Sequence, residues 1–316
     1  MNILSDRILS LEESQTIAMA RKSRELIDSG IDVISLSLGE PDFNTPDFIK
    51  DAAKKAIDNN FSHYTPVPGL NSLRAAISEK FKRDNKLDYP ADQIVASTGA
   101  KQSLAQLLMA ITNPGDEIIV PAPYWVSYFQ MVKMAEGTPV VIEATVDADF
   151  KVTAEQVEQA ITSKTKAFLF STPCNPTGSV YSKNELAELV KVFEKHPDMI
   201  IISDEIYEHI NFMGEHISIG QFDSIKDRVV TVNGVSKGFA MTGWRVGYLG
   251  APKWLAAACN KMQGQTTSAT CSIAQKATEA AVLVDPICTK DMRAAFLRRR
   301  DLMISKLQEI NGLKLS

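Results

Sequence analysis

The sequence predicts an α/β protein whose large domain has three layers, αβα, around a mostly parallel seven-stranded sheet. Apolar runs of strand length alternate along the chain with helical patterns, which is typical of a sheet covered by helices on both faces. The runs stay apolar on both sides of the strand, as expected for buried parallel strands. The predicted strands are residues 94–97, 117–120, 140–142, 167–170, 200–203, 229–232 and 247–249.

Helix starts between these strands carry capping sequences. Thr153 is followed three residues later by Gln156, and Ser182 is followed three residues later by Glu185. In such a pair the hydroxyl caps the helix while the longer side chain reaches back to the cap residue. Both positions are therefore predicted to begin helices.

Length and composition indicate one large domain with a smaller one attached. The chain has 316 residues, of which 45% are hydrophobic, enough for a large core. We expect residues 1–45 to form the N-terminal segment of a small domain and residues 46–285 to form the large domain. Residues 286–316 are expected to be a connecting helix and the start of an incomplete small domain. The last helical patterns cover residues 253–284, loosened around 264–268, and residues 286–310.

Charge and composition argue against several classes of partner and site. The net charge is −4, and the longest basic run is the three arginines at 298–300, so no nucleic-acid partner is expected. The apolar runs are too short to span a membrane, and the N-terminus lacks the order of a secretory signal. We therefore expect no membrane partner and a cytoplasmic location. Cys174, Cys259, Cys271 and Cys288 lack the close spacing of a zinc site, so no metal is expected.

Distinctive residues follow the predicted strands, at the edge where open α/β sheets bind ligands. Lys237 lies among small residues after the sixth strand, which suits a lysine that forms a Schiff base. Asp204 follows the fifth apolar run, where burial would require a cationic partner. Gly99 and Ala100 open a helix whose free N–H groups suit a phosphate. Asn175, held by the proline that follows it, is a rigid hydrogen-bond donor.

Together and in this order, the motifs resemble the class I aminotransferases that depend on pyridoxal phosphate, specifically their bacterial aspartate aminotransferase branch. The resemblance extends over essentially the whole chain. Its landmarks are residues 37–43, 64–69, 98–102, 123–125, 175–178, 203–207 and 237–245.

The resemblance implies pyridoxal 5′-phosphate as the cofactor and a ping-pong transamination, with aspartate favoured as amino donor and 2-oxoglutarate as acceptor. Lys237 would hold the cofactor as a Schiff base and serve as the general base. Asp204 would pair with the pyridine nitrogen and keep it cationic. Tyr207 and Asn175 would hydrogen-bond the phenolic oxygen, and Trp125 would stack on the ring.

The resemblance also implies residues for the phosphate and the substrate. Those implied for the phosphate are Arg245, Gly99, Ala100 and Tyr64, the last reaching over from a partner subunit, and Lys101 is also implied as a cofactor-binding residue. A homodimer with shared active sites is therefore expected. For the amino acid and 2-oxo acid, the resemblance implies Gly39 and Asn175 at the α-carboxylate and Trp125 as a further substrate-binding residue. Ser14, Thr16 and Lys101 are implied at the distal carboxylate.

Two positions depart from the family pattern. Gly234 stands three residues before Lys237, where other members carry a serine that binds phosphate, and Ser236 is a candidate to replace that hydroxyl. Glu12 stands near a position where relatives that also transaminate prephenate tend to carry a lysine. Its negative charge should repel a second carboxylate, which favours aspartate over prephenate.

The chain ends at Ser316, before the part of the family's small domain that carries the arginine for the substrate α-carboxylate. From this we expect a shortened form of a longer enzyme, which holds the cofactor and turns over poorly or not at all. Two alternatives stay open. The same scaffold carries C–S lyases and other enzymes that use this cofactor, and a cofactor-binding fragment without activity is the second.

Overall fold

A computed structural model of the chain describes residues 3–36 and 38–315. Ser37, part of the landmark at 37–43, and Ser316 lie outside the described residues. The strands are β1 (Ile94–Ser97), β2 (Glu117–Ala122), β3 (Thr138–Glu143), β4 (Thr165–Ser171), β5 (Ile200–Asp204), β6 (Val229–Gly234) and β7 (Gly247–Gly250). The helices are α1 (Asp6–Leu9), α2 (Gln15–Asp28), α3 (Asp47–Asp58), α4 (Asn71–Lys80), α5 (Ala100–Ile111), α6 (Ser127–Met134), α7 (Ala154–Ala160), α8 (Lys183–Lys195), α9 (Lys253–Thr266), α10 (Ser272–Leu283) and α11 (Lys290–Leu307).

These seven strands form a single sheet in the order β1-β7-β6-β5-β4-β2-β3. β7 runs antiparallel to both of its neighbours, and the other pairs are parallel. The predicted mostly parallel, seven-stranded sheet is confirmed.

Neighbouring residues of one strand show why the domain has three layers. Ile202 of β5 belongs to a buried cluster with α5, α6 and α9 on one face of the sheet. Ile201, the residue before it, belongs to a second cluster with α8 on the opposite face. Successive side chains of a strand point to opposite faces, and both faces are covered here. Because both are covered, the strands are apolar on both sides.

Both predicted capping sequences begin helices. The Thr153 hydroxyl accepts from the N–H of Gln156 at 3.2 Å, and the Gln156 side chain accepts from the N–H of Thr153 at 2.9 Å. Ser182 and Glu185 form the same reciprocal pair at the start of α8. Each pair satisfies two backbone donors that a helix start leaves without partners.

The predicted helix over 253–284 is two helices. The chain leaves α9 after Thr266, and Ser268 takes a left-handed conformation with φ of 57° before α10 begins. The loosened stretch at 264–268 therefore overlaps the break. In the second pattern, Pro286 begins a short 3₁₀ turn, and α11 continues from it.

The N-terminal segment joins the end of the chain. The Phe43 ring packs edge-on against Phe296 of α11, with 5.5 Å between ring centres. Arg299, one turn further along α11, donates to the Asp42 carboxylate at 2.7 Å. The N-terminal segment and α11 therefore lie side by side. Within residues 3–36 and 38–315, no helix is long and apolar enough to cross a membrane.

Candidate active site

Adjacent parallel strands bring the predicted site residues to one edge of the sheet. Asp204 is the last residue of β5, and Lys237 lies three residues after the end of β6. Asn175 follows β4, which pairs with β5 on its other side. Because these three strands run in the same direction, their carboxyl ends meet at the centre of this edge.

The amine of Lys237 is half-buried in this cleft. Its Nζ donates to the carbonyl oxygen of Gly39 at 2.5 Å and lies 5.9 Å from the centre of the Tyr207 ring. Burial lowers the pKa of Lys237, and the charge of Arg245 lowers it further, while Glu40 opposes both effects. A lowered pKa increases the fraction of neutral amine, which is the form that attacks a carbonyl group.

The carboxylate of Asp204 is buried, with only 3% of the residue exposed. Its Oδ2 accepts from the Tyr128 hydroxyl at 2.7 Å, and its Oδ1 accepts from the N–H of Ile206 at 3.2 Å. Burial raises the pKa of Asp204 to about 6, against the opposing effect of these hydrogen bonds. The group is therefore an anion at neutral pH, in a place where a cationic partner stabilises it.

A phenol and an amide lie next to the acid and the amine. Asn175 donates from Nδ2 to the Tyr207 hydroxyl at 3.3 Å, which leaves the hydroxyl proton free to donate to a ligand. Burial and the charge of Asp204 raise the pKa of Tyr207 to about 12, so the phenol stays protonated. Trp125 is half-buried and contacts the Tyr128 ring edge-on, at 5.6 Å between ring centres.

Gly99, Ala100 and Arg245 form an anion-binding corner. Gly99 has a φ of 86° and precedes α5, which begins at Ala100. A Cβ at position 99 would collide with the Arg245 guanidinium, so only glycine lets the arginine lie against the helix start. The positive end of the helix and the guanidinium both favour a phosphate group here.

The residues predicted for substrate are only partly brought together. Ser14, Lys101 and Glu12 line one cavity of about 710 Å³, which also reaches Arg245. Burial and the charge of Arg245 lower the pKa of Lys101, whose Nζ lies 4.8 Å from the Trp125 ring centre. Thr16, also predicted for the substrate, is not among the described residues that line this cavity.

Tyr64 and Gly39 lie at the margins of the site. The Tyr64 side chain is fully exposed, and its predicted contact with a phosphate in a second subunit stays a prediction. Gly39 reaches the site through its backbone carbonyl, which accepts from Lys237. Its predicted contact with the substrate carboxylate stays a prediction.

Close backbone contacts explain the glycine at position 234. It pairs with Gly247 across β6 and β7, and a Cβ there would stand 3.0 Å from the Gly247 Cα and from the Val246 carbonyl oxygen. A serine would therefore require the neighbouring backbone to move by a few tenths of an ångström. Ser236 is mostly buried beside Lys237, and its replacement of that hydroxyl stays a prediction.

Tyr128 is a site residue that sequence reasoning missed. It donates to Asp204 and supports Trp125, although it lies 76 residues from Asp204 in the chain. The feature of the sequence that could have indicated it is its position three residues after Trp125, on the helix that follows β2. That spacing alone does not distinguish a site residue from a core residue.

The class to which the chain belongs follows from comparison with known proteins. A family model described as aminotransferase class I and II matches residues 31–316. The chain belongs to this family. It is an aminotransferase that depends on pyridoxal phosphate.

Relatives and solved structures agree with this assignment. The aminotransferase is 49% identical over 315 residues to an aspartate/prephenate aminotransferase of Cereibacter sphaeroides, covering 99% of this chain and 79% of that one. It superposes with a TM-score of 0.95 on aspartate aminotransferase from Rhizobium meliloti, at 40% identity over 99% of this chain and 78% of that one. The Thermus thermophilus enzyme with maleate also gives 0.95, at 41% identity over 98% of this chain and 81% of that one.

The site of the aminotransferase fits its cofactor group by group. Pyridoxal phosphate carries a pyridine nitrogen, an aldehyde, a phenolic oxygen and a phosphate. The cleft offers a buried carboxylate, an amine of lowered pKa, a phenol with a neutral hydroxyl and an anion-binding corner. Each cofactor group therefore has a chemically suitable partner on one edge of the sheet.

A buried ionic cluster lies next to Asp204. Ligand atoms of Glu205, Glu208 and His216 lie within 4.8 Å of one another, close enough to surround a metal ion. The Lys80 ammonium, however, already forms an ion pair with Glu208 and donates to Asn85 at 2.6 Å. A cation is thus supplied by the chain itself, and we assign no metal to this cluster.

Replacing Lys80 with methionine is expected to destabilise the fold by roughly 3 to 5 kcal/mol, because a buried carboxylate loses its partner. Burial alone would raise the pKa of Glu208, but the Lys80 charge, with His209 and His216, lowers it to about 2. Urea unfolding would measure the change, with K82M on an exposed neighbouring position as the control. Equal unfolding free energies for the two variants would contradict this account.

Proposed function

We propose that the enzyme moves the amino group of aspartate to 2-oxoglutarate. The observation that carries this proposal is the cavity beside the active-site cleft, where Lys101 and Arg245 supply positive charge and Ser14 supplies a hydroxyl, although Glu12 and Glu13 also line it. A dicarboxylate with one carboxyl group near Lys101 would be attracted to such a cavity. The Cereibacter sphaeroides relative is named an aspartate/prephenate aminotransferase, and both solved structures above are aspartate aminotransferases.

The proposed roles follow from the chemistry of each side chain. Bound pyridoxal phosphate supplies an electron sink for the bond that breaks at the substrate Cα. Lys237 is the covalent anchor, and its amine Nζ takes and returns the Cα proton. Asp204 would stabilise a positive charge on the ring nitrogen. Tyr207, whose hydroxyl accepts from Asn175, would donate a hydrogen bond to the phenolic oxygen.

Phosphate and ring contacts complete the proposed site. Arg245, Lys101 and the backbone of Gly99 and Ala100 would bind the phosphate, while Trp125 would lie against the ring and, with Asn175 and Gly39, contact the substrate. Ser14 and Thr16 are proposed for the distal carboxylate together with Lys101. Thr16 has the weakest support, since it stands outside the cavity lining.

We further propose a homodimer in the cytoplasm, in which Tyr64 of one subunit completes the phosphate site of the other. The full exposure of Tyr64 supports this, because an aromatic side chain on a surface loop is available to a partner. We also propose the division into segments 1–45, 46–285 and 286–316. The contacts of Asp42 and Phe43 with α11 support grouping the first and last of these.

The activity can be tested directly with purified enzyme and added cofactor. We expect oxaloacetate to form from aspartate only when 2-oxoglutarate is present, which a coupled dehydrogenase assay would follow. The C–S lyase alternative is not favoured, because the relatives are aminotransferases. Pyruvate and ammonia released from cystathionine, without need of a 2-oxo acid, would overturn the proposal.

Glu12 is expected to select against prephenate. Glu12 lines the cavity, and its backbone N–H donates to the Gln130 side chain at 3.2 Å. Replacing Glu12 with lysine should raise kcat/KM for prephenate roughly tenfold, because repulsion of its second carboxylate becomes attraction. E25K on the exposed face of α2 makes the same change in net charge and is the control. An equal change in kcat/KM for prephenate in both variants would show that Glu12 has no specific role.

A further inference from the structure

We propose that Tyr128 is a positioning residue for Asp204, which keeps the carboxylate ionised and turned toward the cofactor's ring nitrogen. The inference rests on the proposed role of Asp204. It concerns a residue that contacts neither cofactor nor substrate in the proposed site and acts through its hydrogen bond to the acid.

The two oxygens of Asp204 have separate donors from separate elements. Tyr128, the second residue of α6, donates to Oδ2 at 2.7 Å, and the backbone N–H of Ile206 donates to Oδ1 at 3.2 Å. Two donors attached to different elements fix the plane of the carboxylate. Each carboxylate oxygen accepts more than one hydrogen bond, so accepting capacity remains for a ring N–H.

The Tyr128 hydroxyl is a permanent donor. Only 1% of the residue is exposed, and burial raises the pKa of Tyr128 well above its ordinary value, as does the nearby charge of Asp204. A phenol that stays protonated near neutral pH remains a hydrogen-bond donor to the anionic carboxylate. The bond to Oδ2 is therefore charge-assisted, the stronger kind of hydrogen bond.

This bond acts against the other influences on Asp204. Burial and the negative charge of Glu205 both favour the neutral acid, while Tyr128, the Ile206 N–H and the Lys237 charge favour the anion. Without the Tyr128 hydroxyl, the balance moves toward the acid. A proton shared between Asp204 and the ring nitrogen would then rest more on the carboxylate.

Tyr128 also supports the aromatic residue predicted to lie on the ring. Its ring meets Trp125 edge-on, with an angle of 86° and 5.6 Å between centres. A change of Tyr128 to phenylalanine keeps this contact and removes only the hydroxyl. The substitution thus separates the hydrogen bond from the packing.

The test compares Y128F with Y89F in the cofactor-loaded enzyme. Tyr89 is also buried, and its hydroxyl lies 3.2 Å from that of Thr231, away from Asp204, so Y89F controls for losing a buried hydroxyl. With ¹⁵N-labelled pyridoxal phosphate, we expect the ring-nitrogen signal of Y128F to move toward the neutral pyridine position at neutral pH. We expect kcat to fall roughly tenfold or more, with KM changed less than about threefold. In Y89F, we expect the ring-nitrogen signal and kcat to equal those of the unsubstituted enzyme.

A second substitution keeps the test decisive if Y128F folds poorly. 3-Fluorotyrosine at position 128 retains the shape and donates more strongly, so the nitrogen signal should stay at the protonated position. A signal that moves to the neutral position in this variant, or a Y128F signal equal to that of Y89F, would overturn the inference. An unsubstituted enzyme whose ring nitrogen is unprotonated would instead refute the proposed role of Asp204, which distinguishes the two failures.

Discussion

Replacing Lys237 with alanine is expected to abolish transamination, with a loss of roughly 10⁴-fold or more in kcat. The residue has two functions in the proposed reaction, since its amine both anchors the cofactor and moves the Cα proton. A positioned general base alone contributes about 10²- to 10⁴-fold. The geometry is specific, because the half-buried amine sits over Tyr207 and is held by the carbonyl oxygen of Gly39.

Two measurements check this expectation. The coupled assay gives the rate, and borohydride reduction followed by peptide mass analysis shows which lysine carries the cofactor. The exposed Lys261 on α9 offers the control, because K261A removes an equal charge far from the cleft. Cofactor found on a peptide without Lys237, or a K237A rate near that of K261A, would refute the assignment.

Replacing Asp204 with asparagine is the second large effect expected. The carboxylate is buried, so its loss leaves the ring nitrogen without an anionic partner. Removing one member of a buried charge pair costs about 3 to 5 kcal/mol, or roughly 10²- to 10⁴-fold in rate. We expect kcat of D204N to fall by this factor, while its fold is retained because asparagine has nearly the same shape.

The pH dependence of cofactor affinity provides a further check on Asp204. Its pKa is raised to about 6, so the group is neutral below that pH and anionic above it. Affinity of the unsubstituted enzyme should therefore weaken as the pH falls through about 6, and this step should be absent in D204N. D227N at an exposed position is the control and should keep the step. A step that persists in D204N would assign it to another group.

Much of the fold could be predicted because its causes are local. The strands of the sheet appear in the sequence as short apolar runs. Thr153 and Ser182 indicate helix starts because each forms a capping pair with a side chain only three residues away. Lys237 and Asp204 could be selected for the same reason. Each follows an apolar run, and the ends of parallel strands meet at one edge.

What the sequence by itself determined is therefore the set of elements, their class and the chemical types at the strand ends. The tertiary structure decided which distant groups meet. It placed β7 antiparallel between β1 and β6, brought Gly39 to Lys237 across 198 residues, and brought Tyr128 to Asp204. It also buried Lys80 among carboxylates, although a lysine on a helix is ordinarily exposed. The physical reason is that periodicity and capping act over a few residues, whereas strand order, burial and pKa depend on packing between elements far apart in the chain.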